Sequence, residues 1–273
     1  MDIRLLVLDI DGTIAGYSNQ VSQTVKQAVQ TAKAEGIQVA IATGRMYHSA
    51  LRFHATVGSE LPLIAYNGAW IQDPKTQTIH RHIPVSQPVA LTLLNYFEQP
   101  EWRSSLDAFC YINDQLYVRK LNDYTQNYAL RSGVEAVEVG DLREVITETP
   151  TTKVLALCQD ADTAQKLLTS VQVLYKADEL YLTQSSATHF EATNPEATKG
   201  TAVRYLAEEL LGLSADQVMA IGDNHNDIEM LKYVGVSVVM GNAPTAVQEF
   251  ADWVAPDVEE DGVAAAIEKF LLN

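Results

Sequence analysis

Near its start the chain runs Leu5-Leu6-Val7-Leu8 and then breaks at once into Asp9-Ile10-Asp11-Gly12-Thr13. An apolar run with no polar alternation fits a strand covered on both faces. Strands of that kind belong to parallel sheets packed with helices on each side, so an open α/β architecture is expected. The pattern of apolar run and polar break recurs. Ile37–Ala42 ends on Thr43-Gly44-Arg45, Val218–Ile221 on Gly222-Asp223, and Val236–Val239 leads to Gly241-Asn242. Helical spacing fills the intervals: Ser22 stands as N-cap before Val25, Ala28, Val29 and Ala32, and Gly36 follows as the C′ residue. A second helix is expected from about Tyr47, then a strand over Leu63–Tyr66 and a turn at Asn67-Gly68. The first third therefore reads β-α-β-α-β on a parallel sheet.

The same rhythm returns near the end. Thr198-Lys199-Gly200 opens a helix that reaches Leu211 and stops at Gly212, and Ser214 to Gln217 has capping-box spacing. A helix over Ile228–Tyr233, a short strand Trp253–Ala255 and a final helix Val263–Leu272 complete it. Between about Pro84 and Asn194 the pattern differs. Strand-like pieces at Ser105–Ile112 and Gln115–Val118 flank a turn at Asn113-Asp114, with further strands at Lys153–Leu157, Tyr181–Thr183 and Phe190–Ala192. Helices are expected near Pro88–Phe97 and through Ala164–Leu168. Strands joined by turns suggest an α+β insert on an antiparallel sheet. At 273 residues the chain exceeds the usual single domain, and the expected division is an α/β core of residues 1–83 and 195–273 carrying an inserted α+β domain, 84–194.

Charge narrows the function. Lysine and arginine number 19 against 35 aspartates and glutamates, a net charge of −16. Nucleic acid and anionic membranes need clustered positive charge, so neither is an expected partner. A small phosphorylated ligand stays open, because a metal ion can stand between acidic groups and a phosphate. Cys110 and Cys158 lie far apart with no C-x-x-C, and read as small core residues in a reduced compartment. No apolar run approaches membrane-spanning length, and Asp2, Asp9 and Asp11 interrupt the start too early for a signal peptide. The expected location is the cytoplasm.

Four polar groups carry chemistry. Asp9 and Asp11 sit at a strand's exit before a glycine turn, where ligands of parallel sheets gather; taken alone, the motif reads as a solvated acidic turn. Gly222-Asp223-Asn224-His225-Asn226-Asp227 also follows a strand. Its carboxylates and amides suit a hard cation such as Mg²⁺, although Asn226 and Asp227 also fit a helix N-terminus, and His225 an exposed or substrate-facing position. Thr43-Gly44-Arg45 offers a hydroxyl, close backbone approach and a helix start, the makings of an anion site. Lys199 alone would read as solvated surface. All four fall at strand ends or helix starts of one presumed sheet. They would converge on one edge with carboxylates for nucleophile and metal and a hydroxyl and an ammonium for phosphate oxygens, the equipment of phosphoryl transfer.

These motifs resemble those of haloacid dehalogenase-like (HAD) phosphatases, specifically the Cof-type subclass with a large inserted cap. The resemblance rests on Asp9-x-Asp11-Gly12-Thr13, Thr43-Gly44-Arg45, Asn67-Gly68, Lys199-Gly200, Gly222-Asp223-x-x-Asn226-Asp227-x-x-Met230, Met240-Gly241-Asn242-Ala243 and Asp261-Gly262-Val263. They stand in family order with family-like spacing across both halves of the core, whereas the cap matches only in layout. Glu196-Ala197-Thr198 before Lys199 departs from the usual glycine or valine context. The resemblance implies a Rossmann-like core and a Mg²⁺-dependent phosphatase acting on small phosphorylated metabolites such as sugar phosphates. It implies that Asp9 becomes an aspartyl-phosphate and Asp11 serves as acid and then base. Mg²⁺ would be held by Asp9, the Asp11 carbonyl and Asp223. Thr43, Gly44 and Lys199 would bind phosphate, with Gly12, Thr13, Asn226 and Asp227 in support. Arg45, Asn67, His189 and Tyr111 would face the substrate. A phosphomutase or sugar-specific phosphatase of the same superfamily stays open, as does oligomeric state, monomer or dimer. A receiver-type phospho-acceptor fits less well, because it needs neither Asp11 nor a cap.

Overall fold

The structure is a computed structural model that describes residues 2–184 and 186–272. The chain divides into two compact units, residues 1–81 with 198–273, and residues 82–197.

The first unit is built on a five-stranded sheet in the order Trp253–Val254, Val236–Val239, Val218–Gly222, Leu5–Leu8, Gln38–Ile41. Every neighbouring pair is parallel. Leu5–Leu8 lies at the centre and is buried throughout, as its unbroken apolar run requires. Alternate residues face opposite ways. Leu5 and Val7 pack in a cluster with Ala202, Val203 and Leu206 of the helix that begins at Lys199. Leu6 and Leu8 are equally buried on the other face. The helices Gln23–Ala34 and Gly262–Leu271 pack against each other. Parallel pairing puts every strand's carboxyl end on one edge, and the ladder keeps them level: Asp9 N–H donates to the Ile221 carbonyl at 3.0 Å, Ala42 to Leu8 at 3.0 Å and Met240 to Gly222 at 3.0 Å.

One expected parallel strand is different. Leu63–Ala65 joins the sheet's edge through a single parallel bridge between Ala42 and Ile64. Its main pairing is antiparallel, with Trp70–Gln72, in a separate three-stranded sheet that Ile79–His82 completes. The cause is the turn. Tyr66, Asn67 and Gly68 have φ of 52°, 56° and 98°, three successive left-handed residues that reverse the chain. The helix begun at Lys199 widens into a π-helical stretch over Tyr205–Leu210 and stops before Gly212, at φ 67°.

The second unit holds a six-stranded sheet in the order Tyr181–Thr183, His189–Thr193, Lys153–Cys158, Leu106–Ile112, Gln115–Val118, Ala136–Glu138. Its pairs are antiparallel except the last, which is parallel. Asn113 and Asp114, both at positive φ, close the hairpin between Leu106–Ile112 and Gln115–Val118. One sheet face, with Ala108, Cys110, Val154 and Phe190, packs on the helices Gln87–Phe97, Leu142–Glu148 and Ala161–Leu174. Cys110 and Cys158 are free and buried, and burial pushes their thiols up to about 12 and about 11. The helix Asp123–Ser132 has no counterpart in the sequence reading, because its polar sequence carries no apolar stripe. No described helix is long and apolar enough to cross a membrane.

Candidate active site

Asp9 follows the central strand and is buried, 4% exposed. Lys199, with no exposed surface, places its ammonium 2.6 Å from Asp9 Oδ1 and 2.6 Å from Asp227 Oδ1. Local sequence explains how a lysine gets there. Thr198 caps the helix in a reciprocal box with Thr201, so Lys199 is its first residue. Gly200 lets that helix lie against the backbone of Glu229, where a Cβ would come 2.5 Å from the carbonyl oxygen. Asp227 is committed to architecture: its Oδ2 accepts from the N–H groups of Asp223 at 2.9 Å and Asn224 at 3.0 Å. Its carboxyl also fills the space beside Gly222, where a Cβ would meet it at 2.5 Å.

Carboxylate oxygens of Asp9, Asp223 and Asp227 lie within 4.8 Å of one another. One ammonium faces three carboxylates, and the protonation equilibria reflect the imbalance. Burial pushes the Asp9 carboxyl well above its ordinary range; Lys199 opposes this, while Asp227 and Asp223 add to it. Burial and then repulsion from Asp227 raise Asp223 to about 7. Burial would depress Lys199, but Asp227 and Asp9 outweigh it and hold the ammonium above its usual value. Oδ1 of Asp223 is buried with no hydrogen-bond partner, as is Oγ1 of Thr13. Two excess negative charges and an orphaned carboxylate oxygen in an all-oxygen setting fit a hard divalent cation such as Mg²⁺.

Asp11 points elsewhere. Its carboxylate accepts from Arg45 Nε at 2.8 Å and also from Nη2, and Nη2 donates to Asn19 Oδ1 at 2.7 Å. The same guanidinium stacks 4.5 Å from the Phe53 ring centre. Arg45 is thus mostly buried against Asp11, which is 61% exposed at its side chain. Thr43 is fully buried; its hydroxyl accepts from Arg45 N–H at 3.1 Å, and its carbonyl accepts from Asn67 N–H at 2.9 Å. Asn67 is buried too, and its Oδ1 accepts from Asn226 Nδ2 at 2.9 Å. It lies so close to Gly44 that a Cβ there would stand 3.0 Å from that oxygen. Asn67 therefore ties the Thr43 loop to the Asn226 loop. Gly12, at φ 77°, passes over Asp223 with no room for a Cβ, which would fall 2.1 Å from Oδ2. His225 is exposed.

The structure brings Asp9, Gly12, Asp223, Asp227 and Lys199 into one cluster, with Asp11, Arg45, Thr43, Asn67 and Asn226 linked in the loops beside it. Sequence reasoning passed over Asn19, which carries no motif, and gave no role to Asn242, although it follows a strand as the other site residues do. His189 and Tyr111 belong to the second unit. There the His189 ring stands edge-on to Tyr128, 5.7 Å between centres, and burial lowers its pKa. The Tyr111 and Tyr128 hydroxyls are 2.6 Å apart, and Lys153, paired with Glu191 at 3.2 Å, lies 4.7 Å from the Tyr111 ring centre.

Comparison with known proteins places this arrangement. The family model of haloacid dehalogenase-like hydrolases matches residues 6–267. A 5-amino-6-(5-phospho-D-ribitylamino)uracil phosphatase of Bacillus subtilis (strain 168), YcsE, is 29% identical over 100% of this chain and 97% of its own. A phosphoglycolate phosphatase of Methanothermobacter thermautotrophicus is 27% identical over 98% of this chain and 99% of its own. The crystal structure of TM0651 from Thermotoga maritima superposes with a TM-score of 0.85 at 26% identity, covering 99% of this chain and 100% of that one. With the family model matched from the central strand to the last helix, the chain belongs to the haloacid dehalogenase-like hydrolases.

Proposed function

We propose that this protein is a Mg²⁺-dependent phosphatase that hydrolyses small phosphorylated metabolites, sugar phosphates or related phosphomonoesters, through an aspartyl-phosphate on Asp9. It is a phosphoric monoester hydrolase of its family. The observation that carries the finer reading is the buried Asp9 carboxylate, oriented by Lys199 beside the partnerless oxygen of Asp223. The relatives' names span a ribityl phosphate and phosphoglycolate, which supports small phosphomonoesters as the substrate class.

Asp9, the Asp11 carbonyl and Asp223 would hold Mg²⁺, which when bound supplies positive charge between the nucleophile and a phosphate dianion. The rest is work for the chain's own groups. Lys199 fixes one oxygen of Asp9, leaving the other to form the bond to phosphorus as the ester P–O bond breaks. The departing oxygen takes a proton from Asp11, which later removes one from the water that attacks the acyl phosphate and frees inorganic phosphate. Lys199 has three N–H groups, two of them used by Asp9 and Asp227, so one is left for a phosphoryl oxygen. Thr43 stands for the same duty. Arg45 orients Asp11 and must loosen when Asp11 carries its proton. The core motifs read only the phosphoryl group, so the inserted unit discriminates among substrates.

The test is turnover of p-nitrophenyl phosphate with Mg²⁺ and with chelator. Activity is expected to vanish in chelator and return with Mg²⁺. Asp9→Asn should fold yet lose roughly four orders of magnitude or more in kcat, as expected for an essential nucleophile. A folded Asp9→Asn enzyme with near-normal turnover would sink the mechanism.

A further inference from the structure

Asn242 follows the strand Val236–Val239, one step along the sheet edge from Asp223. Its amide reaches three separate segments. Nδ2 donates to the Gly12 carbonyl at 2.9 Å and toward Asp223 Oδ2 at 3.4 Å, and Oδ1 accepts from Val258 N–H at 3.0 Å. Only this orientation sets both N–H groups against acceptors and the oxygen against a donor.

The Val258 end is itself anchored. Glu259 Oε1 accepts from Tyr17 N–H at 2.8 Å, and Asp261 accepts from the Ser22 hydroxyl. Gly241 lies so near the returning chain that a Cβ would come 2.9 Å from the Ala255 carbonyl oxygen. Asn242 is therefore held from behind while its donors face the site.

We infer that Asn242 is a positioning residue of the cation site, fixing which oxygen of Asp223 faces the ion. A carboxylate's terminal torsion is broad, so Asp223 alone could present either oxygen. Asn242 and the Gly12 turn occupy the space around Oδ2, and Oδ1 is the oxygen left without a partner. The same amide pins the carbonyl of Gly12, whose φ of 77° marks a left-handed turn next to the Asp11 carbonyl. One side chain thus sets two of the oxygens assigned to Mg²⁺. The inference rests on the Mg²⁺ reading above.

Isothermal titration of the metal-free protein with Mg²⁺ tests it, with thermal melting of the same samples. Asn242→Ala should raise the Kd about tenfold or more, the usual effect of removing a group that orients a ligand. Val258→Pro removes the N–H behind Asn242, together with the valine side chain that faces Gly16, at the first position of a short helix where proline is tolerated, and should raise the Kd by less. Ser22→Ala removes the bond to Asp261 and the N-cap of Gln23–Ala34 without touching Asp223, and should lower the melting temperature while leaving the Kd within twofold. A folded Asn242→Ala with wild-type Kd overturns the inference. If that variant does not fold, Val258→Pro with wild-type Kd does so. An equal loss in Ser22→Ala would reduce Asn242 to a loop-stabilising role and overturn it too. Absence of Mg²⁺ binding by wild type would instead overturn the proposed function, and this inference with it.

Discussion

At the residue scale, two aspartates one residue apart meet opposite surroundings. Asp9 is buried and gripped by the Lys199 ammonium, which it shares with Asp227. Asp11 is open to solvent and held by the fork of Arg45. The contrast suits a fixed nucleophile and a group that must exchange protons. In the proposed role of general acid, Asp11 would matter most when the departing alkoxide is strongly basic, as with a sugar phosphate; a nitrophenolate leaves unaided. In Asp11→Asn the single-turnover rate with a sugar phosphate should drop about 10²–10⁴-fold, and far less with p-nitrophenyl phosphate. The proposed second step also uses Asp11, so rapid-quench measurement should give a burst of roughly one equivalent of nitrophenol per site. Equal losses for both esters and no burst would assign Asp11 to structure alone. Asp9 and Asp223 were legible in sequence because each stands where an apolar strand ends. Lys199 was legible as a helix start, but its burial between two carboxylates depends on packing 190 residues away from Asp9 in sequence. Asn67 shows the opposite limit: its Asn-Gly signature reads as a turn, while its bond to Asn226 is purely tertiary.

At the scale of elements, the helix beginning at Lys199 and the helix Ile228–Tyr233 are in close contact, and Gly200 is the reason they can be. Gly200→Ala sets two effects against each other. Helix propensity favours alanine by about 1 kcal/mol. The added Cβ would stand 2.5 Å from a backbone oxygen and 2.6 Å from a backbone carbon of Glu229, so the helices must separate. Overpacking of that kind costs about 1–3 kcal/mol and should prevail. We expect a lower urea midpoint and, because Lys199 moves with its helix, a lower kcat; a stabilised variant would mean the contact yields freely. The ends of elements were the most readable feature. Ser22, Gly36, Gly212 and the Ser214–Gln217 box all stand where local chemistry puts them. The hairpin after Gly68 was not readable, since it depends on Tyr66 and Asn67 entering left-handed backbone that neither residue demands. The helix Asp123–Ser132 escaped for want of an apolar stripe.

At the scale of the molecule, stability should depend on buried histidine as well as on the acidic cluster. His54 is 7% exposed and its Nε2 bonds the Leu61 carbonyl at 2.8 Å; burial lowers its pKa from 6.5. The unfolded chain then takes up a proton below 6.5 that the folded chain refuses, so folded stability is lost as pH falls through that region. His54→Gln can keep the donor and cannot titrate. The stability advantage of wild type over this variant should therefore shrink as pH falls from 7.5 toward 5, by at most about 1.4 kcal/mol per pH unit. A pH-independent difference in urea titrations would show that His54 charges freely in the fold. The sheet order has a further consequence, in time. Leu5–Leu8 pairs with Val218–Ile221 and is synthesised before it. That pairing must wait for the 213 residues that separate Leu5 from Val218, roughly 10–40 s at ordinary translation rates of about 5–20 residues per second. The intervening unit, whose own apolar core runs from Val85 to Ala192, is fully synthesised only shortly before then, about 1–5 s at the same rates. During synthesis the inserted unit can mature first, while the parallel sheet stays open on one side of Leu5–Leu8.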